Sequence, residues 1–207
     1  MVTLKVEPPA SKNGVLFVLA HGAGGSMTDP LLVDLTSALH EKGHGVARFN
    51  FAYRDEGRKL PDRAPALEAT YREVIEQLRR DVPHRKLVIG GKSMGGRMAS
   101  HLAAQGDQLD GLLLLGYPLH PPKRPEKLRD AHLSSIRIPT LFIQGTRDPL
   151  CDLALLEPRV RKMGKTATLV VIDEGDHSLV VPKRSGKSRD EVIAGIVSAA
   201  EKRFVDG

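Results

Sequence analysis

The chain lacks most of what marks a secreted, membrane-embedded or base-stacking protein. Its single cysteine, Cys151, rules out an intrachain disulfide and fits a reducing compartment. It has no tryptophan and only 4% aromatic residues, too few for the stacking platforms that line single-strand nucleic-acid tracks. The net charge of +6 comes from 31 Lys and Arg against 25 Asp and Glu, spread along the chain. That dispersal reads as solvated surface, and no nucleic-acid partner is expected. No apolar run approaches the roughly 18 residues of a membrane span, and Met1 to Ala10 is short, polar and proline-bearing, unlike a signal peptide. A cytoplasmic protein off the membrane is expected. No His, Cys and carboxylate cluster has ligand spacing, so neither a metal nor an organic cofactor is expected.

What is present is alternation. The 207 residues, 41% hydrophobic, show no linker, repeat or low-complexity tract, and one domain over residues 1–207 is expected. Strand patterns fall near Thr3–Val6, Val15–Leu19, Val46–Phe51, Leu87–Ile89, Leu112–Leu115, Ile138–Gln144 and Thr168–Ile172. Between them lie helical patterns near Pro30–His40, Pro65–Arg80, after Ser93, Glu126–Leu133, Leu153–Met163 and Arg189–Phe204. Near-continuous apolar strands with helices between them predict an α/β architecture: a mostly parallel sheet of about six to seven strands, buried on both faces. The stretch between the strands ending near Leu115 and beginning near Ile138 has no room for a cap domain, so an open site and small, accessible substrates are expected.

The run Gly90-Gly91-Lys92-Ser93-Met94-Gly95-Gly96 follows Leu87-Val88-Ile89 directly. It is a G-x-S-x-G element at a strand-to-helix turn, where a nucleophilic serine occupies a strained backbone conformation that neighbouring side chains would obstruct. The same letters mimic the end of a phosphate-binding loop, but Lys86 stands where that motif needs glycine and no loop separates the strand from Gly90.

A serine hydroxyl needs a base and an orienting acid, and both follow in the order Ser, acid, His. Asp148 lies beyond the strand ending at Gln144 and the turn Gly145-Thr146-Arg147; His177 lies beyond the strand ending at Ile172 and the turn Asp173-Glu174-Gly175-Asp176. Asp148 also precedes Pro149, a helix-capping pattern. Asp173, Glu174 and Asp176 are rival acids, read as turn residues on the histidine's own loop. His40, His44, His84, His101, His120 and His132 lack the position after a strand and read as ordinary histidines.

His21-Gly22-Ala23-Gly24-Gly25, after the strand Val15–Leu19, sits where an oxyanion loop is needed. The backbone N–H groups of Ala23 and of Met94, the residue after the nucleophile, form the expected donor pair. One such donor is worth about 10² to 10³ in rate. Tyr53, Arg54, Arg58 and the loop Tyr117–Pro122 are expected to wall the site. Arg54 and Arg58 are candidates for a substrate carboxylate because guanidinium is a planar fork; Lys92 and Arg97 flank the nucleophile without an assigned role.

With these motifs together, the chain resembles the α/β-hydrolase superfamily, in its small lidless dienelactone-hydrolase-like branch. It is also similar to the hydrolase-like domain of the NSL histone-acetyltransferase complex subunit. The likeness runs from His21-Gly22 through Arg48-Phe49-Asn50-Phe51, Gly91–Arg97, Gly116-Tyr117-Pro118-Leu119 and Gly145–Asp148 to Gly175-Asp176-His177-Ser178. It implies an α/β-hydrolase fold without a cap, Ser93 as nucleophile, Asp148 as orienting acid, His177 as general base, and Ala23 and Met94 as oxyanion donors. Dienelactone hydrolases use a cysteine at the elbow, whereas this chain has serine. The expected activity is hydrolysis of a small-molecule carboxylic ester or thioester through an acyl-enzyme. The alternatives are an idle hydrolase-like scaffold that binds a protein partner, or a peptidase or acyltransferase using the same residues.

Overall fold

The computed structural model describes residues 2–206, so Met1 and Gly207, the ends of the expected 1–207 domain, lie outside it. Its strands are β1 (Leu4–Glu7), β2 (Val15–Ala20), β3 (Gly45–Phe49), β4 (Lys86–Lys92), β5 (Gly111–Leu115), β6 (Thr140–Gly145) and β7 (Ala167–Ile172). They form a sheet ordered β1-β3-β2-β4-β5-β6-β7, parallel throughout except for β1, which pairs antiparallel with β3 at the edge. The helices are α1 (Pro30–Glu41), α2 (Ala52–Asp55), α3 (Ala64–Asp81), α4 (Met94–Gln105), α5 (Leu153–Met163) and α6 (Arg189–Phe204). Parallel neighbours cannot be joined by a hairpin, so the connections cross the sheet faces as helices.

Strand β2 shows why the sheet is covered on both sides. Leu16, Val18 and Ala20 enter the core beneath α3, α4 and α5, whereas Val15, Phe17 and Leu19 enter the one beneath α1 and α6. Side chains alternate with period two, so a wholly apolar strand needs two apolar layers. Phe17 meets Phe204 of α6 edge-on, ring centroids 6.1 Å apart, and its truncation to alanine would cost about 3–5 kcal/mol.

Helix starts follow their capping residues. The Asp29 carboxylate accepts the Leu31 N–H, with Pro30 at the first helical position of α1. Ser188 and Glu191 form a reciprocal capping box at α6. Helix α5 is capped by Asp152, not Asp148. The helix expected near Glu126–Leu133 does not form; only a 3-10 turn at Leu133–Ser135 appears. Pro121, Pro122 and Pro125 lack N–H donors, and residues 122–127 are exposed with no apolar stripe to bury. Nothing in that connection amounts to a cap domain, leaving the carboxyl ends of the strands uncovered. No helix among the described residues is long and apolar enough to cross a membrane.

Candidate active site

The loops after β2 through β7 converge at the carboxyl edge of the sheet, where open α/β folds place ligands. At its centre Ser93 caps α4 with φ 52° and ψ −115°, a conformation costing a non-glycine residue about 1–3 kcal/mol. Its N–H donates to the Leu115 carbonyl at 2.9 Å, and its own carbonyl accepts the Arg97 N–H at 2.9 Å. The flanking glycines are steric necessities. A Cβ on Gly91, whose φ is +143°, would stand 2.1 Å from the Ala20 carbonyl oxygen, and one on Gly95 would stand 2.3 Å from the same atom. Only hydrogen fits there, so the turn presses against β2 and Ser93 is thrust outward.

The structure brings Asp148 and His177 to this serine. His177 Nε2 lies 2.9 Å from Ser93 Oγ, and His177 Nδ1 lies 2.8 Å from Asp148 Oδ2. The Asp148 side chain is fully buried, whereas that of His177 is 24% exposed, so the imidazole is the more open of the two. A buried carboxylate must have its lone pairs met. Asp148 therefore also accepts Gln144 Nε2 at 2.6 Å and the Leu150 N–H at 2.8 Å. Gln144, wholly buried, uses its Oε1 to accept the Tyr117 N–H at 2.8 Å, bracing the acid against the loop after β5. The Arg147 N–H donates to the Gly175 carbonyl at 2.8 Å, tying the acid's loop to the histidine's. The rival acids serve the turn: Asp176 accepts the Ser178 and Val180 amides, and Glu174 pairs with Arg184.

The loop after β2 is held from several directions. The Phe51 N–H donates to His21 Nε2 at 3.2 Å, which leaves Nδ1 to carry the proton donated to the Gly22 carbonyl at 2.7 Å. Burial first of all lowers the His21 pKa, consistent with this neutral tautomer. Tyr53 donates its hydroxyl to the Ala23 carbonyl at 2.7 Å, and Asn50 and Arg48 hold the amide and carbonyl of Met27. Lys92, beside Ser93, reaches Asp29 Oδ2 at 2.8 Å with both side chains mostly buried. Asp29 thus caps α1 and joins the end of this loop to the elbow. Among the described residues neither the Ala23 nor the Met94 amide donates a main-chain hydrogen bond; Met94, as the first residue of α4, has no intrahelical acceptor. The positive end of the α4 dipole lies behind the Met94 amide.

Other expectations are revised. Arg58 does not serve as a free carboxylate fork: it pairs with Asp62 and Glu56. Arg54 keeps a buried Nε without a hydrogen-bond partner. The remaining histidines engage in packing and capping, as where His101 meets Glu68 at 2.7 Å and His120 Nε2 accepts the Asp152 N–H at 3.1 Å. Cys151 is buried, and desolvation chiefly, with Asp148 and Asp152, pushes its thiol up to about 12, so it stays protonated. Concavities of about 370 Å³ and 450 Å³ lie elsewhere, the first between Asp130–Ser134 and α5, the second around Arg79, His84 and Gln108. Ser93 is partly exposed and lines neither of them.

The strand order, the elbow and the succession of loops that deliver Ser93, Asp148 and His177 define an α/β-hydrolase class of protein. The chain belongs to the alpha/beta hydrolase domain family, which it matches over residues 13–205. Among solved structures it is similar to a dienelactone hydrolase from Anabaena variabilis, at 20% identity and TM-score 0.77, covering 99% of this chain and 91% of that one. A lidless α/β serine hydrolase from Xanthomonas campestris is similar at 21% identity and TM-score 0.74, covering 99% and 88%. Est1E from Butyrivibrio proteoclasticus, solved with ferulic acid bound, is similar at 16% identity and TM-score 0.77, covering 99% and 96%. Likeness at these identities speaks to the fold.

Proposed function

We propose that this chain is a serine hydrolase that cleaves a carboxylic ester or thioester through an acyl-enzyme. The observation that carries the reading is the hydrogen-bond relay from Asp148 through His177 to Ser93, at 2.8 and 2.9 Å, on a serine held in a strained elbow. Ser93 Oγ attacks the acyl carbon as His177 Nε2 takes its proton. Asp148 fixes the tautomer with Nδ1–H toward itself and stabilises the imidazolium. The carbonyl oxygen, now negative, lies toward the Ala23 and Met94 amides. Collapse breaks the bond to the alcohol or thiol, which leaves with the proton from Nε2. Water then gives a proton to Nε2 and adds to the acyl carbon, and a second collapse breaks the bond to Ser93 Oγ, which takes that proton back from Nε2 as the acid departs.

The substrate is a small molecule, in keeping with the absence of a cap domain between β5 and β6, and the setting is cytoplasmic, in keeping with the lone buried thiol. The order of motifs along the chain supports kinship with the hydrolase-like domain of the NSL subunit. Turnover of p-nitrophenyl acetate and butyrate by the wild type, and by Ser93→Ala and His177→Gln, tests the reading. Activity should vanish in both variants; activity that persists in folded Ser93→Ala would overturn it.

A further inference from the structure

We infer that Tyr53 is a positioning residue: its hydroxyl, together with the imidazole of His21, clamps the peptides on both sides of Ala23, so that the Ala23 N–H is held in one direction for the oxyanion. This rests on the hydrolase reading of the same site. The loop after β2 needs such a hold. Ala23 and Gly24 are exposed, a Cβ on Gly24 would meet nothing within 4 Å, and glycine explores backbone angles that other residues avoid. A donor on a loop free to turn would have to be ordered at each turnover, whereas an oxyanion is stabilised by dipoles already in place.

Two peptide planes set the Ala23 amide. In the plane before it, the Gly22 carbonyl accepts His21 Nδ1–H at 2.7 Å and the Gly25 N–H at 3.0 Å. The carbonyl and N–H of a trans peptide point in opposite directions, so the Ala23 N–H is turned away from His21 and Gly25. The same peptide lies against Ser93: a Cβ on Gly22 would stand 3.5 Å from Ser93 Cβ and 3.7 Å from the Lys92 carbonyl oxygen. In the plane after it, the Ala23 carbonyl accepts the Tyr53 hydroxyl at 2.7 Å. The first hold fixes the direction of the amide, and the second fixes where Ala23 stands. Tyr53 is wholly buried, its ring centroid 5.9 Å from that of His21 and 6.5 Å from that of Phe51, on which it stacks. Burial first of all raises its pKa, so the hydroxyl keeps the proton it donates. The Phe51 N–H in turn donates to His21 Nε2 at 3.2 Å. Both holds therefore depend on the short segment after β3, from Phe51 to Tyr53.

The test is Tyr53→Phe, which deletes the hydroxyl and keeps the ring. With p-nitrophenyl butyrate kcat should fall about tenfold, short of the 10² to 10³ lost with an oxyanion donor. KM should stay within about twofold, because the bond acts on the transition state. Affinity for a trifluoromethyl alkyl ketone, whose adduct with Ser93 carries the same oxyanion, should weaken in parallel with kcat. His21→Asn, whose amide can donate where Nδ1 did, should lose less than His21→Leu, and Glu56→Gln, on the exposed turn after α2, should match wild type. A wild-type kcat in folded Tyr53→Phe, or a loss confined to KM, would overturn the role. The heteronuclear NOE of the Ala23 amide is independent of turnover. It should be high in the wild type and drop in Tyr53→Phe; an NOE as high in the variant would overturn the clamp. An inactive wild type with that NOE difference sinks the hydrolase reading alone, whereas a Tyr53→Phe variant with wild-type kcat and NOE sinks the clamp alone.

Discussion

Breaking the Lys92–Asp29 pair should damage both the stability of the fold and the placement of the loop after β2. Lys92→Met keeps the length of the side chain and removes its charge. The ammonium lies 2.8 Å from Asp29 Oδ2, and the two side chains are 14% and 10% exposed. Stripping one partner from a fully buried pair costs about 3–5 kcal/mol. Asp29 still accepts the Leu31 N–H, and residual exposure admits water, so about 2 kcal/mol is the expected loss. In a chain of this length that lowers Tm by about 4–8 °C. The double variant with Asp29→Asn should recover part of the loss, giving a coupling of about 1–2 kcal/mol by urea unfolding. The expected fall in kcat is about tenfold, a fraction of the 10² to 10³ that removal of an oxyanion donor costs. The catalytic effect follows because Asp29 Oδ2 would stand 3.6 Å from a Cβ on Gly25, within the loop that carries Ala23. Additive single variants, or a destabilised Lys92→Met with wild-type kcat, would refute the coupling of this pair to the loop.

Gln144→Leu should leave the Tyr117 amide unpaired and remove one donor from Asp148; losing a hydrogen bond to a charged group costs about 1.5–3 kcal/mol, and kcat measured on p-nitrophenyl acetate should fall about 10- to 100-fold with KM little changed. Gly91→Ala places a methyl 2.1 Å from the Ala20 carbonyl oxygen at φ +143° and should cost at least about 3 kcal/mol, read by urea unfolding; a wild-type midpoint would mean that β2 and the elbow are not in close contact. His132 is pulled down from 6.5 to about 4, by burial first and then by His101 and Arg97. The unfolded chain therefore binds the extra proton, and this contribution to stability is present above pH 6.5 and lost progressively as pH falls toward about 4. His132→Gln should flatten Tm against pH across that window, and an unchanged slope would count against it.

The chain order of Ser93, Asp148 and His177 was legible because each follows an apolar run and a glycine-bearing turn, signals local to a few residues. The helices with clear apolar stripes were legible too: α3 at Ala64–Asp81 and α6 at Arg189–Phe204 lie within a residue of the periodicity. Glu126–Leu133 misled because a charge-rich stretch after Pro125 satisfies helix propensity while burying only Leu133 fully and Leu128 in part. The four-residue α2 is too short to carry a period. Gln144 and the Lys92–Asp29 pair were hidden for another reason. Gln144 sits inside a strand and looks like one polar interruption, and Lys92 finds its partner 63 positions away. Tyr71 of α3 is alike: its buried hydroxyl bonds the Val18 and Gly90 carbonyls, a role visible only once α3 lies on the sheet. Arg58 went the other way, since nearby Glu56 and Asp62 claim it.

The most direct test of the central claim is intact-mass and peptide mass spectrometry after exposure to a fluorophosphonate probe. An activated serine predicts one stoichiometric adduct on the peptide containing Ser93, absent from Ser93→Ala and strongly slowed in His177→Gln. A properly folded wild type that takes up no adduct, or takes it up equally in Ser93→Ala, would contradict the account.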